Sequence, residues 1–116
     1  MINLENARGG INISGDVFAR LVGEAATNCF GVKGMAMRSV SDGLVHLLKR
    51  ESMGKGVYIT YNSNSSVSVE LHIIVDQGVN ISVLCHSIIS EVKYKVTSVT
   101  GVAVDSVDVY VDSLER

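Results

Sequence analysis

Between Val67 and Val75 every second residue is apolar: Val67, Val69, Leu71, Ile73 and Val75 keep one phase without a slip. A period of two held for nine residues describes a β-strand with one side turned to a core, since a helix would scatter those positions around its axis. Just upstream, Val57, Ile59 and Tyr61 alternate with Tyr58 and Thr60, and the "NSNSS" between the two runs, Asn62 to Ser66, is turn chemistry throughout. Two alternating runs across a five-residue polar loop predict a β-hairpin. Whatever else the chain does, it must supply a cover for the apolar side of that hairpin.

The cover follows directly. Gly78 breaks the strand, Asn80 is a suitable helix N-cap, and Ile81, Leu84, Cys85, Ile88, Ile89, Val92, Val96 and Val99 recur at helical spacing as far as Gly101. A second amphipathic helix is predicted after Ser14, with Asp16 in its first turn and Val17, Phe18, Leu21, Val22, Ala25 and Cys29 on one stripe. Gly31 stops it. Short strands are expected at Ile11–Ile13 and over Val32–Met37. Ser41 or Asp42 opens a shorter helix carrying Leu44, Val45, Leu47 and Leu48. The last strand runs through Val107, Val109 and Val111, with Asp108, Tyr110 and Asp112 in the opposite phase and Asp105 near its start. The sum is a two-layer α+β domain: a mostly antiparallel sheet of about five strands with helices on one face. At 116 residues this is one domain, 1–116, with its core at about 10–112.

Composition narrows the function classes. A hydrophobic fraction of 47% with 19% charged residues is that of a folded domain. No run approaches the ~18 apolar residues of a membrane span. The opening "MINLENARGGINIS" lacks the basic and apolar regions of a secretory leader, so cytoplasmic residence is expected. Two cysteines, Cys29 and Cys85, both on apolar stripes, make no disulfide framework. A net charge of −2 argues against a dedicated nucleic-acid binder.

Catalytic and metal-binding readings find little support. Asp108 and Asp112 are four residues apart on an extended chain, about 13 Å, too far to share one ion. His46, His72 and His86 fall on separate elements, and the neighbours Cys85 and His86 would point about 100° apart on a helix. No Walker-type phosphate loop or nucleophile elbow is present. No catalytic residue, metal site or cofactor is expected.

Two surfaces remain. Tyr58, Thr60, Glu70, His72, Ile74, Asp108 and Tyr110 would share the side of the sheet opposite the helices. That side is either an ordinary open antiparallel face or a docking and self-association surface centred on Tyr58, His72, Ile74 and Tyr110. The span from Lys33 to Lys55 holds five bases and two acids, and Lys33, Arg38, Lys49 and Arg50 are candidate contacts for an anion or RNA, unless they are simply a solvated face. Gly31-Val32-Lys33-Gly34 has the form of the loop with which KH domains clamp RNA. In that module the loop joins two helices, whereas here a strand-like run follows. RNA binding is therefore the alternative reading.

Taken in order, "GGINISGDVFARLVGEAATNCFGVKGM", "VELHIIVDQG" and "EVKYKVTSVTGVAVDSVDVYV" resemble the alkaline shock protein family of Gram-positive bacteria, most closely its short YloU-like members. The resemblance runs from about Gly10 to Val111. Its most specific parts are the Gly-x-x-Gly after the first helix, Gly78, and Gly101 with Val104, Val107 and Val109 after it. Gln77 and Ile89 depart from the family pattern, standing where an aromatic and a polar residue are common. The resemblance implies a small cytoplasmic, non-enzymatic protein of envelope homeostasis or stress, in a family some of whose members self-associate and are held at the membrane by a separate membrane-spanning partner. It transfers no functional residue, because what is shared is glycines and core valines.

Overall fold

The computed structural model describes residues 2–6, 8–36 and 56–115. The element order is β1 (Ile2–Asn6), β2 (Gly9–Ile13), α1 (Gly15–Thr27), β3 (Val32–Met35), β4 (Val57–Tyr61), β5 (Val67–Asp76), α2 (Ile81–Thr100) and β6 (Val104–Glu115). The expected short helix around Leu44 to Leu48 and the Met37 end of the third strand lie outside the described residues.

The hairpin of β4 and β5 is as its alternation predicts. Val57 pairs with Leu71 and Tyr61 with Val67, closing on the Asn62–Ser66 loop. The Asn62 amide donates to the Ser66 carbonyl at 2.9 Å across that loop. β5 is the centre of a four-stranded sheet. On one side it carries β6 along its whole length, from Val67 opposite Val104 to Asp76 opposite Glu115, and this pairing is parallel. On the other side β3 and β4 lie end to end. β3 pairs with Ile73–Val75, and β4 with 67–71.

The junction between β3 and β4 falls at His72. Its carbonyl accepts from the Ala36 amide at 2.8 Å, and its own amide donates to the Gly56 carbonyl at 2.9 Å. β3 and β4 are therefore one edge strand, interrupted opposite His72, where the chain leaves at Ala36 and returns at Gly56. The fit is tight. Gly56 has φ +78°, and a Cβ there would strike the Ala36 carbonyl and come within 2.9 Å of the His72 carbonyl.

Both helices cover the same side of this sheet. Phe18, Val22, Ala25 and Ala26 of α1 and Leu84, Ile88, Val92 and Val96 of α2 are buried against Val57, Ile59, Val67, Val69, Leu71, Ile73 and Val75. Lys95 of α2 reaches Glu24 of α1 at 2.6 Å and ties the two helices together on their outer side. α2 starts where expected, with the Asn80 side chain accepting from the Val83 amide at 3.1 Å. It ends at Gly101, which takes the left-handed cap conformation at φ +76°. Ser14 precedes α1 as its N-cap residue, but its side chain makes no capping bond. The apolar stripes are wider than the buried ones: Val17, Ile81 and Val99 are exposed. A layer three ribbons across hides only the central arc of each helix.

Two features depart from the sequence expectation. The first strand is not part of the main sheet: β2, the element anticipated at Ile11–Ile13, pairs with β1 in a separate hairpin, whose Leu4 and Ile13 pack on the core edge. The last strand lies parallel to its neighbour, because α2 carries the chain back along the sheet before β6 begins.

Candidate interaction surface

On β5 the side chains that turn away from the helices are those of Ser68, Glu70, His72, Ile74 and Asp76. Ladder pairing sets Tyr58 beside Glu70, Asp108 beside Glu70, and Tyr110 beside His72. The outer-face set expected from phase alone is thus brought together.

His72 is its hub. Nδ1 lies 2.9 Å from an Asp112 carboxylate oxygen and Nε2 2.6 Å from a Glu70 oxygen. A ring with a proton on each nitrogen donates to both carboxylates, whereas a neutral ring donates to one and turns a lone pair on the other. The Tyr110 ring stacks on the imidazole at 4.8 Å between centroids and 8° between planes, and Tyr58 meets it edge-on at 5.6 Å. Of the four residues anticipated as a docking centre, Tyr58 and His72 are only 2% and 8% exposed. They act as a platform beneath the surface. Tyr110, 48% exposed, and the half-buried Ile74 present what remains.

Asp112 reaches His72 from a bulge. The β5–β6 register shifts between Ile73 and Ile74, so Ile73 faces Val111 and Ile74 faces Ser113, leaving Asp112 as the extra residue. Asp105 sits at a second shift, between Val67 and Ser68. Its carboxylate accepts from Asn62 Nδ2 at 2.8 Å and Ser66 Oγ at 2.6 Å, pinning the start of β6 to the β4–β5 turn. The three aspartates of the last strand therefore go to three places: a turn, an open face and a histidine. Among the described residues no group of three His, Cys, Asp or Glu side chains is placed to hold a metal ion.

Phase counting identifies the face but misses the Glu70–His72–Asp112 clasp. The available signal was Glu70 and His72 two apart in one strand, with an acid four residues beyond Asp108 in the next.

The basic candidates divide. Lys33 is exposed at a register shift in β3, between Val32 and Gly34. Arg38, Lys49 and Arg50 lie outside the described residues. Gly31 and Gly34 do not frame a loop between helices. Gly31, at φ +105°, turns the chain from α1 into β3 with Val79 against it, and Gly34 is inside the strand.

A groove of about 530 Å³ lies between the end of α1 and the start of α2, lined by Cys29, Phe30, Val79, Val83 and Leu84 among others. Phe30 is 94% exposed beside it. Burial pushes the Cys29 thiol up from its ordinary range, with Glu91 adding to the shift, and burial alone pushes Cys85 up. Neither is tuned towards the thiolate that a nucleophile needs. His86 is exposed on the flank of α2. Among the described residues no helix is long and apolar enough to cross a membrane.

Comparison with known proteins gives a consistent picture. Residues 3–116 match the alkaline shock protein 23 family, described as having a cell envelope-related function. The chain is 37% identical over 114 residues to the uncharacterized protein YloU of Bacillus subtilis (strain 168), covering 97% of this chain and 94% of that one. It is 35% identical over 115 residues to the uncharacterized protein Spy1614 of Streptococcus pyogenes serotype M6, covering 98% and 94%. A second protein of that organism, the uncharacterized protein Spy1535, is 26% identical over 106 residues, covering 91% and 79%. No solved structure matches. With the match spanning nearly its whole length, this chain belongs to the alkaline shock protein 23 family, whose function is related to the cell envelope.

Proposed function

We propose that this protein is a non-enzymatic scaffold or adaptor of cell-envelope homeostasis or stress response. It works in the cytoplasm at the inner face of the membrane, by self-association and by gripping a membrane-anchored partner. The observation that carries this reading is the outer sheet face, where an exposed tyrosine is held flat on a buried histidine flanked by two carboxylates. A rigid aromatic on a fixed platform loses little entropy when covered, which is what a docking anchor requires. The family's envelope-related description supports the setting.

The test replaces Tyr110 and Ile74 by lysine, singly and together. The variants keep the fold, by circular dichroism, and lose self-association in sedimentation and partner capture in pull-downs from cells. Unchanged sedimentation and capture in the folded double variant would remove this face from the function.

A further inference from the structure

β6 is twelve residues long and, among the described residues, is paired on one edge only. At about 3.3 Å per residue its other edge offers some 40 Å of backbone donors and acceptors. Its side chains are not those of a closed edge. On the helix side Val109 and Val111 are half-buried and Leu114 is 51% exposed, an apolar row that runs out from under the helices.

On the other side the charge is of one sign. β6 holds four acids and no base: Asp105, Asp108, Asp112 and Glu115. Asp105 and Asp112 are engaged by the turn and by His72. Asp108 and Glu115 make no ion pair or side-chain hydrogen bond among the described residues. Each also stands beside another acid in the ladder, Asp108 beside Glu70, itself held by His72, and Glu115 beside Asp76. Like charges directly opposite are unfavourable in a sheet and are relieved by a cation laid alongside.

We infer that the free edge of β6 accepts an extended, basic segment of a partner protein as an added strand, with its Lys or Arg side chains over Asp108 and Glu115 and its apolar side chains over Val109, Val111 and Leu114. The inference deepens the adaptor reading and rests on it, naming the chemistry of the partner. A second copy of β6 does not fit the edge. Antiparallel self-pairing about Tyr110 would set Asp108 against Asp112 and Asp105 against Glu115. The stretch from Asp108 to Glu115 needs a partner segment of about eight residues.

The experiment titrates the full-length, ¹⁵N-labelled protein with three octapeptides: alternating lysine and valine, alternating glutamate and valine, and the lysine–valine peptide N-methylated at every second residue. The lysine–valine peptide shifts the 104–115 amides and slows their exchange with solvent. Its affinity falls at least tenfold in the Asp108→Lys, Glu115→Lys double variant. The glutamate peptide does not bind, and N-methylation abolishes binding by removing one row of backbone donors.

Equal binding of the N-methylated peptide would reduce the effect to charge alone and overturn strand addition. So would shifts confined to other elements, or β6 protection that grows with protein concentration and needs no peptide. If Tyr110→Lys abolishes partner capture while the peptides leave β6 untouched, the adaptor reading stands and the strand-addition inference falls. If the peptide adds to β6 and Tyr110→Lys changes nothing, the edge site stands and the outer-face anchor falls.

Discussion

The Tyr110 ring lies flat on the His72 ring, 4.8 Å away and 8° from parallel, although the two residues belong to different strands. The parallel ladder puts them side by side, and Glu70 and Asp112 fix the imidazole from both nitrogens. Replacing His72 by alanine removes its contacts with the Glu70 and Asp112 carboxylates and the platform under Tyr110. We expect a loss of about 1–3 kcal/mol in urea denaturation, with Tyr110 more accessible to fluorescence quenchers. A variant of unchanged stability would mean that the clasp contributes nothing net.

Gly56 is the second sensitive point. Its φ of +78° and the Ala36 carbonyl against it exclude a Cβ on two separate grounds. Gly56→Ala should destabilise by more than the ~1–2 kcal/mol that a left-handed backbone alone costs an alanine. Gly101→Ala, at φ +76° with open space around it, meets only the backbone term and should cost less. Thermal denaturation of the two variants side by side checks the order.

The helix caps should behave unequally. Asn80→Ala removes an observed capping bond and should cost about 1 kcal/mol. Ser14→Ala removes no such bond and should be nearly silent. Equal losses in chemical denaturation would contradict the difference between the two caps.

Asp108, which makes no ion pair among the described residues, stands opposite Glu70, a carboxylate already held by His72. Asp108→Asn should therefore stabilise the protein by about 0.2–1 kcal/mol. The gain should shrink as salt is raised, because both groups meet solvent. A destabilised variant would show that Asp108 has a structural role of its own.

The thiols set a pH dependence. Burial raises both cysteines in the folded protein, so the fold favours their protonated forms. The stability from this preference is fully present below the unfolded thiol range and is lost as pH rises through the folded values. Alkylation by iodoacetamide in the native state should have its midpoint above that of the denatured chain. Serine at both positions should flatten the alkaline part of the stability curve. A native midpoint at or below the denatured one would contradict the burial.

Most of the framework was legible because its signals are local. The phase of Val67 to Val75, the polar Asn62–Ser66 loop, and Asn80 and Gly101 at the ends of α2 each carry their meaning within a few residues. What could not be read depends on partners distant in sequence. Nothing in Val107, Val109 and Val111 says whether the neighbouring strand runs with or against them. Helical spacing counted Val17, Ile81 and Val99 as core, yet the width of the sheet leaves them outside. β1 was available in the alternation of Ile2 and Leu4 with Asn3 and Glu5, but a strand that short declares itself only beside β2. At the candidate surface, membership of the face was legible. That His72 and Tyr58 are buried there, and that Asp112 meets His72 from a bulge, depends on register, which no single strand encodes.

The broken edge strand has a mechanical consequence. Because Ala36 and Gly56 dock onto the same residue of β5, two points twenty positions apart in the chain hang from one peptide unit. A backbone shift at that unit loosens both halves of the edge at once, so the middle of the sheet behaves as a rivet joining them.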